Sequence, residues 1–214
     1  MRTLVIIALL LLLGACGPAV PTYFVPIAGL AQGQQVTSAF EGGDWGVKKG
    51  RLFESSFDDR TILVANSGAG SGISFVPSTA AHPASFAVRL VARLEKEGLD
   101  GGWGLEFGLA QGQGGYRVLL YASGRFCLDR EEAGRPEFIH CVNRLAWVKT
   151  GEVENELLVS AAGSHLEVWV NGRRAVEFDD ARYRPGKLAL AVAGAGARVR
   201  FKEIQVWRLP GGKK

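Results

Sequence analysis

Apolar and polar residues alternate along much of the chain, which is the period of a β-strand with one buried face. In the segment SFAVRLVARLE the apolar side chains share one face, and Arg89 and Arg93 share the other. The segments WGLEFGL and YRVLLYAS alternate in the same way. Glycines, 29 among 214 residues, cluster between these runs as turn residues do. Short strands, close turns and few helical patterns predict an all-β protein, an antiparallel β-sandwich of the jelly-roll type.

The dipeptide Asn171-Gly172 predicts a hairpin between two strand-like runs, HLEVWV and RRAVEF. A strict two-residue turn would pair Val168 with Ala175, whereas an effective three-residue loop with a bulge would pair Val168 with Val176. The second register buries more apolar surface on one face, so we expect it. A break of phase at Lys202-Glu203 predicts another bulge in the last strand. The meander around the hairpin is predicted to comprise strands at 155–161, 165–170 and 174–178.

The first residues have the pattern of an export signal. Arg2 precedes an apolar run, residues 4–13, which is too short to span a bilayer as a helix. Leu13-Gly14-Ala15-Cys16 then resembles a bacterial lipobox, in which the cysteine is lipidated and becomes the new N-terminus. We therefore expect a signal peptide at 1–15 and a lipid anchor at Cys16; the alternative is an ordinary secretory signal with a chance cysteine.

The region after Cys16 predicts how the anchor joins the folded part. Residues 17–37 contain three prolines and little charge, so 16–37 is interpreted as the lipidated cysteine and a flexible tether that enters the first strand near Val36. The sandwich is expected at 38–209 and a basic tail at 210–214. No Asp follows Cys16, which favours the outer membrane in a cell with two membranes. The expected location is the bacterial cell envelope, outside the cytoplasm.

The formal charge of +4 is a mild excess for an exported protein and does not indicate a nucleic-acid partner. Basic residues near the C-terminus are interpreted as a solvated strand face and tail, with a weak role against anionic surface polymers left open. They are Arg198, Arg200, Lys202, Arg208, Lys213 and Lys214.

Two cysteines remain after lipidation, Cys127 and Cys141, in a compartment that permits disulfides. We expect them to form a disulfide; two buried free thiols are the alternative. The sequence has no CxxC motif or Cys/His cluster typical of zinc.

Several segments have the order and spacing of strands and turns in a known superfamily. They are Trp147–Gly151, Asn155-x-Leu157-x-Val159, Gly163-x-x-Leu166-x-Val168-x-Val170-Asn171-Gly172, Gly186–Leu190 and Val199–Val206, with an N-terminal echo in Asp44–Leu52. This pattern, over about 40–208, resembles concanavalin A-like lectin/glucanase domains, and more narrowly the bacterial 3-keto-disaccharide hydrolase-type and LamG-like domains. The resemblance implies a jelly roll that handles carbohydrate, and it is more specific for fold than for activity.

Catalysis in the glucanase branch of that superfamily uses a Glu-x-Asp-x-x-Glu strand motif, which places two carboxyl groups at the spacing of retaining hydrolysis. The sequence lacks this motif. The alternating glutamates of GEVENE precede a strand and are interpreted as a solvated turn. Glu106 is the one weak catalytic candidate, because it lies mid-strand between Gly104 and Gly108, where small neighbours leave room for a ligand.

Ligand-binding candidates lie on two predicted strands. Arg117 and Tyr121 share one face and are expected to line a concave sheet with Glu106; the alternative is a solvent face with a Glu106–Arg117 cross-strand pair. Trp169 shares a face with Glu167, opposite the apolar face of its strand, so it is the best sugar-binding candidate among the five tryptophans. Trp103 is expected in the core, and packing is the alternative for each of the others.

Metal and nucleotide chemistry have little support. The histidines, at 82, 140 and 165, match no metal motif, so no metal site or cofactor is expected. The acidic pairs Asp58-Asp59 and Asp179-Asp180 leave a structural Ca²⁺ open, with solvated turns as the alternative. The glycine-rich segment 67–74 is not followed by a helical pattern, which argues against a phosphate-binding loop.

The preferred interpretation is a membrane-anchored, lectin-like domain that binds carbohydrate or a cell-envelope polymer without catalysis. A hydrolase acting on a (keto-)disaccharide or other glycoside is one alternative. An envelope structural or assembly lipoprotein is another. The sequence makes no prediction of the oligomeric state.

Overall fold

The computed structural model describes residues 34–37, 45, 53–58, 61–68, 73–81, 84–109, 114–132 and 135–210. Within these residues the chain forms fourteen strands. No helix long and apolar enough to cross a membrane occurs in this described part. The strands are β1 (Gln34–Thr37), β2 (Phe53–Asp58), β3 (Thr61–Asn66), β4 (Ile73–Ala81), β5 (Phe86–Lys96), β6 (Gly102–Leu109), β7 (Tyr116–Tyr121), β8 (Phe126–Glu132), β9 (Arg135–Val142), β10 (Asn155–Ala162), β11 (His165–Val170), β12 (Arg173–Asp179), β13 (Lys187–Ala193) and β14 (Arg198–Arg208).

The strands form two antiparallel sheets that pack face to face. The eight-stranded sheet has the order β12-β11-β10-β5-β14-β3-β2, and β1 also pairs with β14. The six-stranded sheet has the order β4-β13-β6-β7-β8-β9. The predicted antiparallel β-sandwich is therefore confirmed. The tether was expected to enter the first strand near Val36, and residues 34–37 form β1, which pairs with Val206, Trp207 and Arg208.

The core lies between the sheets, where alternate residues of each strand meet. Phe86, Val88 and Leu90 of β5 are fully buried and belong to this core, whereas Arg89 points to the outer face. Trp103 is also in the core, as predicted, with its ring edge-on to another core aromatic ring. The period-two pattern of the sequence thus predicts which side of each strand faces inward.

The hairpin of β11 and β12 combines features of both predicted registers. Asn171 and Gly172 have φ of 50° and 76°, the positive values of a type I′ two-residue turn. A bulge follows in β12, and beyond it Val168 pairs with Val176, which confirms the predicted apolar register. The bulge brings Val176 and Phe178 onto the inner face, against the core. The expected bulge in β14 is also present, because the pairing with β5 shifts at Lys202.

The expected disulfide is present between Cys127 and Cys141. The two cysteines lie directly opposite each other on β8 and β9, at one edge of the six-stranded sheet. The crosslink therefore closes a local hairpin, and the chain-entropy model assigns a loop of this size about 3 kcal/mol of stabilisation.

Candidate functional site

A row of three charged side chains crosses the outer face of the six-stranded sheet. Glu106 of β6 lies opposite Arg117 of β7, and Arg117 lies opposite Asp129 of β8. Leu105 and Phe107 point into the core, so Glu106 between them points outward. We call Glu106, Arg117 and Asp129 the Glu106 row. Glu106 and Arg117 are therefore cross-strand neighbours, as predicted, and Asp129 adds a second carboxylate on the other side of Arg117.

Arg117 forms a two-point ion pair with Asp129. Its Nη2 lies 2.7 Å from Oδ1 of Asp129, and its Nε donates to Oδ2 at 3.2 Å. The Asp129 side chain is only 2% exposed and that of Arg117 is 13% exposed. One charge-assisted hydrogen bond and one close ion contact hold the guanidinium on the Asp129 side of the row.

Glu106 is left without such a partner. It is 5% exposed, yet no described residue donates a hydrogen bond to its carboxylate. Burial raises the pKa of Glu106 to about 7; Arg117 opposes the shift, while Glu131 and Asp129 add to it. Burial also raises the pKa of Asp129, against the effect of Arg117. One arginine thus serves two nearly buried carboxyl groups, and among the described residues the carboxyl of Glu106 has no hydrogen-bond donor.

Tyr121 lies on the same outer face, at the other end of β7. Its ring packs with a small apolar cluster that includes Leu119 and Ala191. The Arg125 guanidinium stacks 3.7 Å from the ring centroid and also pairs with Asp100. Burial raises the pKa of Tyr121 although Arg125 opposes the shift. Tyr121 and Arg117 keep part of their side chains exposed, so they form the accessible part of this face.

The glycines beside Glu106 have a different role from the predicted one. A Cβ on Gly104 would lie 1.8 Å from the carbonyl oxygen of Val118, so β6 and β7 approach too closely for any side chain there. Gly108 has φ of +71°, and its Cβ would meet the Arg184 carbonyl oxygen at 3.0 Å. Backbone packing therefore requires glycine at both positions, which is a different reason for glycine from the predicted one.

The predicted ligand residues do not form one site. Arg117 and Tyr121 lie on the outer face of the six-stranded sheet, whereas Trp169 and Glu167 lie on the outer face of the eight-stranded sheet. The core separates these two faces. A single ligand of ordinary size cannot contact both pairs, so each face must be considered separately.

Trp169 is half-buried and contributes to packing on its face. Its ring packs with Trp207 over a cluster formed by Ala87, Leu158 and Leu209. The Arg174 guanidinium lies 5.8 Å from the ring centroid. The indole therefore covers an apolar patch. This leaves less of its ring available to a sugar than its position on the strand suggested.

Glu167 is 9% exposed and lies beside His165, Glu177 and Arg174. Its Oε1 is 3.7 Å from Nε2 of His165 and 3.8 Å from Nη1 of Arg174. Glu177 is not among the predicted site residues, although the predicted register that pairs Val168 with Val176 already places it opposite Glu167. Asp129 was also missed, although aligning β7 and β8 about their short connection would have placed it opposite Arg117.

The remaining candidates have structural partners. Among the GEVENE glutamates, Glu154 pairs with Lys202, and Glu156 pairs with Arg89 at 2.7 Å. In the acidic pair Asp179-Asp180, Asp179 contacts His165, whereas Asp180 pairs with Arg130 and Arg182. The two carboxylates are therefore engaged separately.

Cys16, the signal segment 1–15, Asp59, most of the tether, the N-terminal echo except Trp45, and tail residues 211–214 lie outside the described residues. The expected lipidation and the proposed domain limits at both ends stay predictions.

Comparison with solved structures identifies the fold. The chain is similar to a carbohydrate-binding module, CBM66 from Bacillus subtilis, with 16% identity, a TM-score of 0.60 and coverage of 73% of this chain and 92% of that one. It is similar to the VIP36 exoplasmic/lumenal domain bound to Ca²⁺ and Man3GlcNAc, with 10% identity, a TM-score of 0.62 and coverage of 83% and 90%. A Bacillus subtilis protein of unknown function with a galectin-like fold matches with 12% identity, a TM-score of 0.62 and coverage of 84% and 98%.

These likenesses show the fold, a concanavalin A-like antiparallel β-sandwich, which is the fold that the sequence resemblance implied. The sequence matches no protein-family model and no curated protein. The narrower resemblance to 3-keto-disaccharide hydrolase-type or LamG-like domains therefore has no sequence-family support.

Proposed function

We propose that this protein is a carbohydrate-binding domain that uses the outer face of the six-stranded sheet. The observation that carries the proposal is the Glu106 carboxyl, which is nearly buried and receives no hydrogen bond from any described residue. A buried polar group without a partner is destabilising unless a ligand or water satisfies it. A sugar hydroxyl supplies the missing donor.

The chemistry around Glu106 suits a polyhydroxylated ligand. A sugar hydroxyl both donates and accepts, so neighbouring hydroxyls can donate to Glu106 and accept from Arg117. Tyr121 lies on the same face with part of its side chain exposed, so a sugar could contact the part of the ring that Arg125 leaves uncovered. The carbohydrate-binding module and the sugar-bound VIP36 domain with the same fold support this class of ligand.

We also propose that binding occurs without catalysis. Hydrolysis of a glycoside by the common mechanisms needs an acid and a second free carboxylate. Asp129, the nearest carboxylate of the row, is held in its two-point pair with Arg117. This arrangement favours recognition over nucleophilic or general-base chemistry.

A glycoside hydrolase, on a keto-disaccharide or another glycoside, is the second candidate. One observation favours it: a buried carboxyl with a pKa of about 7 has the properties of a general acid. In that function Glu106 would protonate the leaving oxygen. Replacement by glutamine would then abolish turnover.

The proposed location is the outside of the membrane that carries the lipid anchor at Cys16, the outer membrane where a cell has two. The Cys127–Cys141 disulfide supports an oxidising compartment. The ligand would then be an envelope polymer or a glycan reaching the cell surface. Calcium is included as a condition to test, because the VIP36 form with this fold contains Ca²⁺.

The test is a panel of envelope and plant-type glycans incubated with the purified full-length protein, in a detergent whose head group is not a sugar. Binding and product release are measured together, with and without Ca²⁺. Saturable binding without product is the expected result. Product release that Glu106→Gln abolishes would replace the binding function with the hydrolase. A folded protein that neither binds nor cleaves any glycan would overturn both and favour an envelope assembly role.

A further inference from the structure

A second polar cluster lies on the opposite side of the sandwich, on the outer face of β11 and β12. His165 and Glu167 are alternate residues of β11, so they share this face. Across the hairpin, Glu177 lies opposite Glu167, and Asp179 lies opposite His165. We call His165, Glu167 and Glu177 the His165 cluster. β12 is the edge strand of its sheet, so the cluster lies at the rim of the sandwich.

The three side chains of the His165 cluster converge. Nε2 of His165 lies 3.7 Å from Oε1 of Glu167 and 3.4 Å from Oε1 of Glu177. All three ligand atoms lie within 4.8 Å of one another. A tetrahedral ion with ligand bonds of about 2.1 Å has ligand-to-ligand edges of about 3.4 Å. The observed separations therefore leave room for one such ion with little movement.

Asp179 holds His165 in the orientation that a ligand needs. The Nδ1 atom of His165 lies 3.1 Å from Oδ1 of Asp179. A metal-binding histidine commonly donates its other ring N–H to a carboxylate, which fixes the tautomer and directs the remaining nitrogen at the metal. With Nδ1 engaged by Asp179, the lone pair of Nε2 faces the two glutamates.

Glu167 is the most buried member of the His165 cluster. Its side chain is 11% exposed and lies opposite another glutamate, an arrangement of like charges that destabilises a sheet. The contacts of its carboxylate are long: Ser160 Oγ at 3.5 Å, and the nitrogens of His165 and Arg174 at 3.7 and 3.8 Å. A nearly buried carboxylate with only long contacts is stabilised by a directly bound cation.

We propose that His165, Glu167 and Glu177 bind a divalent transition-metal ion, of which Zn²⁺ is the best match. Calcium takes oxygen ligands, whereas a ring nitrogen with two carboxylates suits zinc and related ions. Three protein ligands leave the fourth position open to water or to a donor from another molecule. Asp179 is the positioning residue.

Arg174 competes with the ion in this arrangement. Its guanidinium pairs with Glu177 and reaches toward Glu167. Metal binding displaces it, and the nearby ring of Trp169, already 5.8 Å away, gives it an alternative contact. Removing this arginine therefore strengthens metal binding, although it removes a positive charge that helps to neutralise the two glutamates.

The test is calorimetric titration of the full-length protein, purified without a polyhistidine tag, with ZnCl₂ and separately with CaCl₂. One zinc site is expected, with no calcium site at these residues. His165→Ala and Glu177→Gln abolish the site, and Asp179→Asn weakens it by about ten-fold or more. Arg174→Gln tightens it by up to about five-fold, the size of an exposed ion-pair effect.

Glu203→Gln is the matched control, because Glu203 is an exposed glutamate on the same face that pairs with Arg89. It leaves zinc affinity unchanged. Zinc binding that survives both His165→Ala and Glu177→Gln would place the ion elsewhere and overturn the proposal, as would a protein that binds no zinc. The substituted side chains are partly exposed, so folding of each variant is checked by its denaturation midpoint. Glycan binding takes no part in this titration, so its result is independent of the proposed function.

Discussion

Arg130 and Asp180 form a buried ion pair between the two halves of the sandwich. Nη1 of Arg130, on β8 of the six-stranded sheet, lies 2.7 Å from Oδ2 of Asp180, and the side chains are 5% and 8% exposed. Asp180 follows β12, and its backbone N–H donates to the Ser164 carbonyl in the turn between β10 and β11. The pair thus joins the six-stranded sheet to the end of the eight-stranded sheet.

Breaking this pair is expected to destabilise the fold strongly. Asp180→Asn leaves the Arg130 charge buried with less compensation, which costs about 3–5 kcal/mol in free energy of unfolding. Urea denaturation at pH 7 in metal-free buffer measures it. Asp179→Asn is the matched control, because that side chain is 75% exposed, and its loss should stay within about 1 kcal/mol. Equal effects of the two substitutions would contradict the role of the pair.

The same pair predicts a loss of stability in acid. Burial raises the pKa of Asp180, but hydrogen bonds from the side chain and backbone N–H of Arg182 and from the side chain of Arg130 outweigh it and hold the pKa well below its usual range. A lowered folded pKa stabilises the protein above the unfolded value of about 4, and this contribution disappears as the pH falls below it. Between pH 5, about one unit above the unfolded pKa, and pH 2, about two units below it, Asp180→Asn should therefore lose less stability than the wild type. If the free energy of unfolding falls by the same amount in both proteins over this pH range, the prediction is wrong.

Glu106 predicts the opposite slope near neutral pH. Its pKa is raised from 4.5 to about 7, so the folded state binds a proton more tightly than the unfolded state does. Stability then falls as the pH rises from about 4.5 to 7, by about 3 kcal/mol for a shift of this size. Glu106→Gln lacks this loss, so it should match the wild type near pH 5 and exceed its stability at pH 8 (about one unit above the shifted pKa). Glu203→Gln is the control, because Glu203 is an exposed glutamate on the outer face of the other sheet. If the difference in stability between the wild type and Glu106→Gln does not change with pH, the raised pKa of Glu106 is contradicted.

Two glycine substitutions separate close packing from backbone strain. An alanine Cβ at Gly104 would meet the Val118 carbonyl oxygen at 1.8 Å, whereas one at Gly151 would meet nothing within 4 Å. Gly151→Ala suffers only from its φ of +81°, a strain of about 1–2 kcal/mol. Gly104→Ala must separate β6 from β7 and should be destabilised by more than Gly151→Ala. Thermal unfolding of both variants measures the difference, and an equal or smaller effect at Gly104 would show that the strands are not so close.

Removal of the disulfide should lower stability without changing the fold. Cys127→Ala combined with Cys141→Ala is expected to cost about 3 kcal/mol, because the unfolded chain regains the freedom of the closed loop. Denaturant unfolding of wild type with and without reductant provides the same comparison. An intact mass that does not increase on reduction would mean that the two thiols are not crosslinked.

Most of the fold could be predicted from the local pattern of residues in the sequence. The alternation in β5, β6 and β7 predicted their inner faces, because side chains of a strand alternate between its two sides whatever the tertiary context. The Asn171-Gly172 turn predicted the hairpin, because only residues that tolerate positive φ form a type I′ turn. These features depend on neighbours in sequence, so they can be read from it.

The candidate sites depend on neighbours in space, and there the prediction was incomplete. Arg117 and Trp169 each lie on the outer side of a strand, but nothing in the sequence says that their strands belong to different sheets. The sequence suggests that Gly104 leaves room for a ligand, but it does not show the close approach of β7, which leaves no space for a Cβ there. The predicted bulged register places Glu177 opposite Glu167, but the approach of His165 and Arg174 to Glu167 depends on side-chain positions in space.

The decisive experiment is the affinity of the best glycan from the panel for three proteins: wild type, Glu106→Gln and Glu203→Gln. Both substitutions replace a carboxylate by an amide of the same shape, one on the six-stranded sheet and one on the opposite face. If the Glu106 row binds sugar, Glu106→Gln weakens binding by about ten-fold or more, as expected for loss of a charge-assisted hydrogen bond of about 1.5–3 kcal/mol, while Glu203→Gln binds like wild type. Undiminished binding by a folded Glu106→Gln would contradict the proposed site.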